Sequence, residues 1–203
     1  MERLRSKRTS SLLAMVGVGL LVLVLDQLAK AWIVSNMVSH DMRVIINGFL
    51  RLRYTENSGS AFGLFQGWTG LLSIAALVII CAIVISAFRM GNGSTFMAVC
   101  LGMILGGAVG NLADRIRLGY VVDFIEVYGP RINWQGTTYT WPVFNVADSA
   151  ISVGVVLIMG ILLFSKPEET AARKETTQEG TPTNPGNSSN SGNPPAALHR
   201  VEE

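Results

Sequence analysis

The residues best suited to chemistry in this 203-residue sequence are acids set among apolar neighbours. Asp123 stands in Val121-Val122-Asp123-Phe124-Ile125. Asp148 stands in Phe144-Asn145-Val146-Ala147-Asp148-Ser149-Ala150, where a long apolar run begins. A carboxyl in apolar surroundings holds its proton to higher pH, which suits a general acid or base. Two such groups at one membrane face would make an aspartic-protease arrangement. They cannot both ionise readily, so one activates water while the other, protonated, polarises the scissile carbonyl. Each also has a structural reading. Asp123 can be an interfacial surface acid. Asn145 is a good helix N-cap, and Asp148 at the third helical position suits the helix dipole. Other chemistries are poorly supplied. Ser58, Ser60 and Ser149 have no histidine near them in sequence. His40 and His199 stand alone, without zinc-type spacing, so no metal site is expected.

More polar residues fall where they are costly, since a charge at mid-membrane costs at least about 2.5–3.5 kcal/mol. Asp26 and Lys30 are four apart, with the acid first, the better order for a helical ion pair. They either neutralise one another, with Lys30 snorkelling to the interface, or support a site from one side. Gly107, Asn111 and Arg115 form one row at four-residue intervals, with its polar end outward. Gly102, Gly106 and Gly110 form a second row, which allows close helix packing in lipid. Asp114 can pair with Arg117 or be solvated. Asn57 and Gly59 lie in a glycine- and serine-containing stretch before the second apolar run.

The elements that must position these residues follow from composition. Charged residues make up 15% of the chain and hydrophobic ones 49%; soluble domains carry about a quarter charged. A net charge of +2 without a basic stripe argues against a nucleic-acid partner. Four apolar runs, at about 12–34, 68–88, 96–113 and 143–164, are long enough to cross a bilayer as helices. The first is too long for a signal-peptide core, and no small-x-small site follows it. Cys81 and Cys100 lie in apolar runs and are expected to be small buried hydrophobes. Arg43–Ile46 and Phe49–Tyr54 read as strands joined at Asn47-Gly48, a strong hairpin signal, and 121–127 as a further extended stretch. The expected fold is a membrane α-helical one: four transmembrane helices with a small extracytoplasmic β-containing subdomain on the outer face, all within residues 1–165. Residues 166–203, rich in Pro, Asn, Ser and Gly, are expected to be a disordered cytoplasmic tail. Arg3, Arg5, Lys7, Arg8 and Arg89 place both termini in the cytoplasm and the loops at about 35–67 and 114–142 outside. Arg43, Arg51, Arg53, Arg115, Arg117 and Arg131 then lie outside, so the positive-inside rule is only partly obeyed.

Five blocks appear in an order that resembles the bacterial lipoprotein signal peptidases (signal peptidase II). They are Asp26-Gln27-x-x-Lys30, Asn57-x-Gly59-x-Ala61-Phe62-Gly63, Gly110-Asn111-x-x-Asp114-Arg115, Val121-Val122-Asp123-Phe124 and Phe144-Asn145-x-Ala147-Asp148. The resemblance spans about residues 12–165. It implies an aspartyl endopeptidase of the bacterial plasma membrane that cuts diacylglyceryl-modified prolipoproteins before the lipidated cysteine. It implies Asp123 and Asp148 as the catalytic pair, with Asp26, Asn57, Asn111, Arg115 and Asn145 in support, and no metal or organic cofactor. Lys30, Gly59 and Gly107 belong to the same site on this reading. The expected partners are lipidated substrate and membrane lipid, with the chain working as a monomer. Two features depart from the pattern: the long segment Gly129–Trp141 between the acids, and the tail. On the residues alone two other readings stay open. One is a non-enzymatic ion path. The other is a different intramembrane aspartyl protease, although the Gly-x-Gly-Asp typical of those is absent.

Overall fold

The computed structural model describes residues 2–59, 67–89, 94–128, 133–134, 137–138 and 141–164. The Ala61-Phe62-Gly63 part of the second block and the tail from residue 166 lie outside them. Four helices are long and apolar enough to cross a membrane: α1 (Glu2–Asn36), α2 (Thr69–Arg89), α3 (Thr95–Leu118) and α4 (Val146–Phe164). With 35 residues, α1 is roughly 50 Å long, more than the hydrocarbon thickness. Its basic first turns lie before the candidate span, which begins at Arg8.

The helix α3 is central and packs against α1, α2 and α4. Glycines on two of its faces set the approach. A Cβ at Gly102 would lie 2.5 Å from the Met15 carbonyl oxygen, and one at Gly106 would collide with the carbonyl of Gly19 on α1. On another face, a Cβ at Gly107 would lie 2.5 Å from the Ala147 carbonyl oxygen of α4. Helices in lipid gain no hydrophobic drive from one another, so backbone approach of this kind holds them together. Met15, Ile83, Ala87, Ala98 and Ile104 pack where α1, α2 and α3 meet. Leu20, Leu28, Ile74, Val78, Val156 and Leu162 instead face outward, as lipid-facing residues do. Cys81 is among the exposed residues, against the expectation of burial; only Cys100 is enclosed by protein. An apolar run does not distinguish a side chain buried in protein from one bathed in lipid.

A three-stranded antiparallel sheet joins the helix ends, in the order β1 (Met42–Ile46), β2 (Leu50–Asn57), β3 (Val121–Val127). The hairpin turns where expected, with Gly48 at φ 75°, a conformation only glycine takes without strain. Two of the boundaries that differ from the sequence reading bear on the polar residues. Strand β2 runs on to Asn57, and α3 continues through Leu118, taking Asp114, Arg115 and Arg117 out of the expected loop. That helix stops at Gly119, whose φ of 84° is a left-handed cap and whose N–H donates to the Arg115 carbonyl at 3.1 Å. The chain then turns directly into β3.

Along β3, Val122 and Phe124 pack with Ile33, Met37 and Tyr54. Strand alternation turns Asp123 to the other face. The long segment 129–141 contains a pairing that the sequence reading did not anticipate, β4 (Asn133–Trp134) with β5 (Thr137–Thr138). After it the chain returns to β3. Phe144 and Ile125 exchange N–H···O bonds of 3.0 and 2.7 Å, which brings Asn145 beside Asp123.

Candidate active site

Asp123 is 2% exposed. Asn57, from the end of β2, donates its Nδ2 hydrogen to Asp123 Oδ2 at 2.8 Å, and Asn145 donates Nδ2 to Asp123 Oδ1 at 2.7 Å. The Asn57 Oδ1 accepts the Gly59 N–H at 3.0 Å, which fixes the direction of the amide. Burial raises the Asp123 pKa most, and the negative charge of Asp148 raises it further. The two amide donors and the Lys30 charge pull it down, leaving it at about 7.

Asp148 and Asn145 make a reciprocal capping box at the start of α4. The Asp148 N–H donates to Asn145 Oδ1 at 2.8 Å, and the Asn145 N–H donates to Asp148 Oδ2 at 3.3 Å. The structural reading of this pair holds, yet it does not exhaust the side chains. The other oxygen of Asp148 accepts from Asn111 Nδ2 at 2.7 Å, while Asn145 Nδ2 serves Asp123. One asparagine thus caps the helix that carries one acid and binds the other acid. Gly107, one turn before Asn111, lets α4 approach closely enough for these bonds.

Behind the asparagines lies a charged cluster. Lys30 is 3% exposed and does not snorkel. Its three N–H bonds go to Asp26 at 2.8 Å, Asp114 at 2.8 Å and Asn111 Oδ1 at 2.9 Å. Asp26 Oδ1 accepts the Ala147 N–H at 2.9 Å, one of the donors that the first turn of α4 leaves free. The Asp26–Lys30 pair is thus bonded to α3 and to the start of α4 as well as to itself. Asp114 is buried, not solvated. Besides Lys30 it takes Gln27, Arg117 and the Val122 N–H. Sequence reasoning offered Asp114 only Arg117 or solvent, of which the Arg117 pairing holds at 3.4 Å, and gave Gln27 no role, although both stand in the recognised blocks. The i, i+3 spacing of Asn111 and Asp114 was the available signal.

Asn57, Gly59, Asn111, Arg115, Asp123 and Asp148 line a cleft of about 560 Å³. Its remaining wall is largely apolar, with Val121, Trp141, Pro142, Val143, Phe144, Ile151 and Val153, beside Ser149 and Ser152. Arg115 lines this cleft, and its buried Nε has no hydrogen-bond partner among the described residues. Both carboxyls thus meet one cavity, linked by Asn111 and Asn145 (3.1 Å apart). Such a site can hold a proton on one acid while the other takes one from water. Among the described residues, no group of three or more His, Cys, Asp or Glu is placed to hold a metal ion.

Residues 18–164 match the family model described as Signal peptidase (SPase) II. The chain belongs to the signal peptidase II family. The lipoprotein signal peptidase of Syntrophomonas wolfei is 43% identical over 154 residues, covering 75% of this chain and 95% of that protein. That of Pseudomonas putida is 40% identical over 161 residues, covering 77% and 91%. A bacterial membrane enzyme solved by the in meso method at 2.3 Å resolution has a TM-score of 0.68 and 31% identity, covering 77% of this chain and 92% of that one. The signal peptidase II assignment makes the chain an aspartic peptidase and a membrane protein. All ten site residues expected of it, from Asp26 and Lys30 on α1 to Asn145 and Asp148 at α4, fall in this one neighbourhood.

Proposed function

We propose that Asp123 and Asp148 are the catalytic acids with which this signal peptidase II removes the signal peptide from diacylglyceryl-modified prolipoproteins, cutting before the lipidated cysteine. The observation that carries this reading is the amide of Asn145. Its Nδ2 donates to Asp123 and its Oδ1 accepts the Asp148 N–H, and both acids line one cleft. Asp123, with its pKa at about 7, holds the shared proton and polarises the scissile carbonyl. Asp148 takes a proton from the attacking water. As the tetrahedral intermediate collapses, that proton passes to the leaving amine. Arg115, which lines the cleft, donates to substrate carbonyls.

The site faces the extracytoplasmic side of the bacterial plasma membrane, and both termini are cytoplasmic. The basic start of α1 supports this orientation, because it lies at the end away from Asp26 and Lys30. A substrate bearing acyl chains reaches such a site by lateral diffusion, with its lipid kept in the bilayer. All the polar groups involved come from one chain, which we read as working as a monomer.

The test is turnover of a diacylglyceryl-modified peptide and its unlipidated counterpart by purified enzyme. Asp123→Asn and Asp148→Asn should each lower turnover of the lipidated peptide by at least about a hundredfold. The double variant should be little worse, since residues acting as a unit are non-additive. Chelators should change nothing. Substantial turnover by either folded single variant, or equal cleavage of both peptides, would overturn the reading.

A further inference from the structure

Asp114 is fully enclosed by protein, hydrogen-bonds to neither Asp123 nor Asp148, and does not line the cleft. It nevertheless lies where the supports of the two acids join. Its Oδ2 accepts from Lys30 Nζ at 2.8 Å and from the Val122 N–H at 3.3 Å. Its Oδ1 accepts from Gln27 Nε2 at 3.0 Å and Arg117 at 3.4 Å.

The two partners of Oδ2 lead to different acids. Val122 is the residue before Asp123, so the first branch fixes where β3 leaves the α3 cap. The second branch runs through Lys30 to Asn111. An ammonium has only donors to offer. Lys30 therefore obliges Asn111 to turn its oxygen inward at 2.9 Å, which leaves Nδ2 for Asp148 at 2.7 Å. A carboxylate that served only to neutralise Lys30 would have no need of the Val122 N–H.

We propose that Asp114 is a positioning residue for peptide cleavage: it holds the strand of Asp123 and the asparagine partner of Asp148 in one register. This rests on the assignment of Asp123 and Asp148 as the catalytic acids. Asp114 supplies acceptors only, and Asn keeps its shape while turning one acceptor into a donor. In Asp114→Asn that NH₂ must face either Lys30 and Val122 or Gln27 and Arg117, all of them donors. The register loosens, while the cleft wall that binds substrate stays intact.

The experiment is steady-state cleavage of the diacylglyceryl-modified peptide by wild type, Asp114→Asn, Lys30→Met, the double variant and Asp123→Asn, each checked for folding by thermal melt. Asp114→Asn should lower kcat by about ten- to a hundredfold, with KM within about threefold of wild type, as expected of misplaced catalytic groups. Because Asp114 acts partly through Lys30, the double variant should lose less than the product of the two single losses. If Asp114→Asn does not fold, the double variant, which removes one charge of each sign, should fold and show the same kcat loss at unchanged KM. Wild-type kcat in folded Asp114→Asn or in the folded double variant would overturn the proposal, as would a loss confined to KM or two single losses that simply multiply. If Asp123→Asn keeps its turnover, the catalytic assignment fails instead, whatever Asp114→Asn does.

Discussion

Asn57 Nδ2 lies 2.8 Å from Asp123 Oδ2 and donates to it across the β2–β3 pair. This bond favours the ionised carboxylate, as does the bond from Asn145. Burial and the Asp148 charge work the other way and win, and the Asp123 pKa rises from 3.8 to about 7. The raised value means that folding favours protonated Asp123. The stabilising contribution of this group is complete below about pH 4 and is lost as pH rises through about 7. Asn57 thereby helps to fix where Asp123 points and moderates the rise of its pKa.

The first expected outcome concerns pH. In the proposed mechanism Asp123 holds the proton that the reaction uses. The kcat/KM of the wild type should therefore fall as pH rises through about 7. Asn57→Ala removes a donor that lowers the Asp123 pKa. Its maximal rate should drop, yet its alkaline limb should move to higher pH. A limb that stays in place or moves down in pH–rate profiles of the two enzymes would contradict the assignment of that limb to Asp123.

A second concerns Asp26. Its Oδ1 accepts the Ala147 N–H and its Oδ2 accepts Lys30. Asp26→Asn cannot satisfy both donors, although Lys30 keeps Asp114 as a counter-charge. Turnover of the lipidated peptide should fall by about tenfold, through displaced groups rather than lost chemistry, and the thermal midpoint should drop. Loss as complete as in Asp123→Asn, in folded enzyme, would place Asp26 among the reacting groups.

Helix approach supplies a third. Gly107→Ala would put a methyl group 2.5 Å from the Ala147 carbonyl oxygen and 2.8 Å from Ile151 Cγ1. The backbone of α4 must move, at a cost of about 1–3 kcal/mol, and Asp148 moves with it. Activity should fall by up to about a hundredfold. Gly17→Ala, with nothing within 4 Å of the added Cβ, should match wild type in both stability and turnover. Equal behaviour of the two variants would show that α3–α4 contact does not position the site.

Orientation can be read with thiols. In a background with Cys81 and Cys100 replaced by Ala, an impermeant maleimide added to intact cells should label Val38→Cys, since Val38 is 73% exposed beyond the end of α1. It should not label Ser188→Cys until the membrane is opened. The reverse pattern would invert the topology.

The four spans were legible in the sequence because each is a long run that only a bilayer accommodates. The hairpin was legible at Asn47-Gly48, since few dipeptides tolerate that turn. The spacing of Gly102 and Gly106 announced a close helix contact, and Asn145 with Asp148 announced a helix start. These are local properties, set by backbone sterics and by the cost of apolar surface in water. They depend on a few neighbouring residues, and the sequence by itself determined them.

What the sequence left open was which side of each helix meets protein. In a soluble protein the polar face marks the outside. Here lipid is as apolar as the core, so Cys81 could turn outward and Cys100 inward although both lie in apolar runs. The same ambiguity allowed Lys30 to be read as reaching for the interface and Asp114 as either solvated or paired with Arg117. Both are enclosed because α1 and α3 approach closely enough, at Gly102, Gly106 and Gly110, to bring Asp26, Lys30 and Asp114 together. Only tertiary structure decided that meeting, since it joins residues more than eighty positions apart. A charge is stable in such a place only when its partners arrive from another helix.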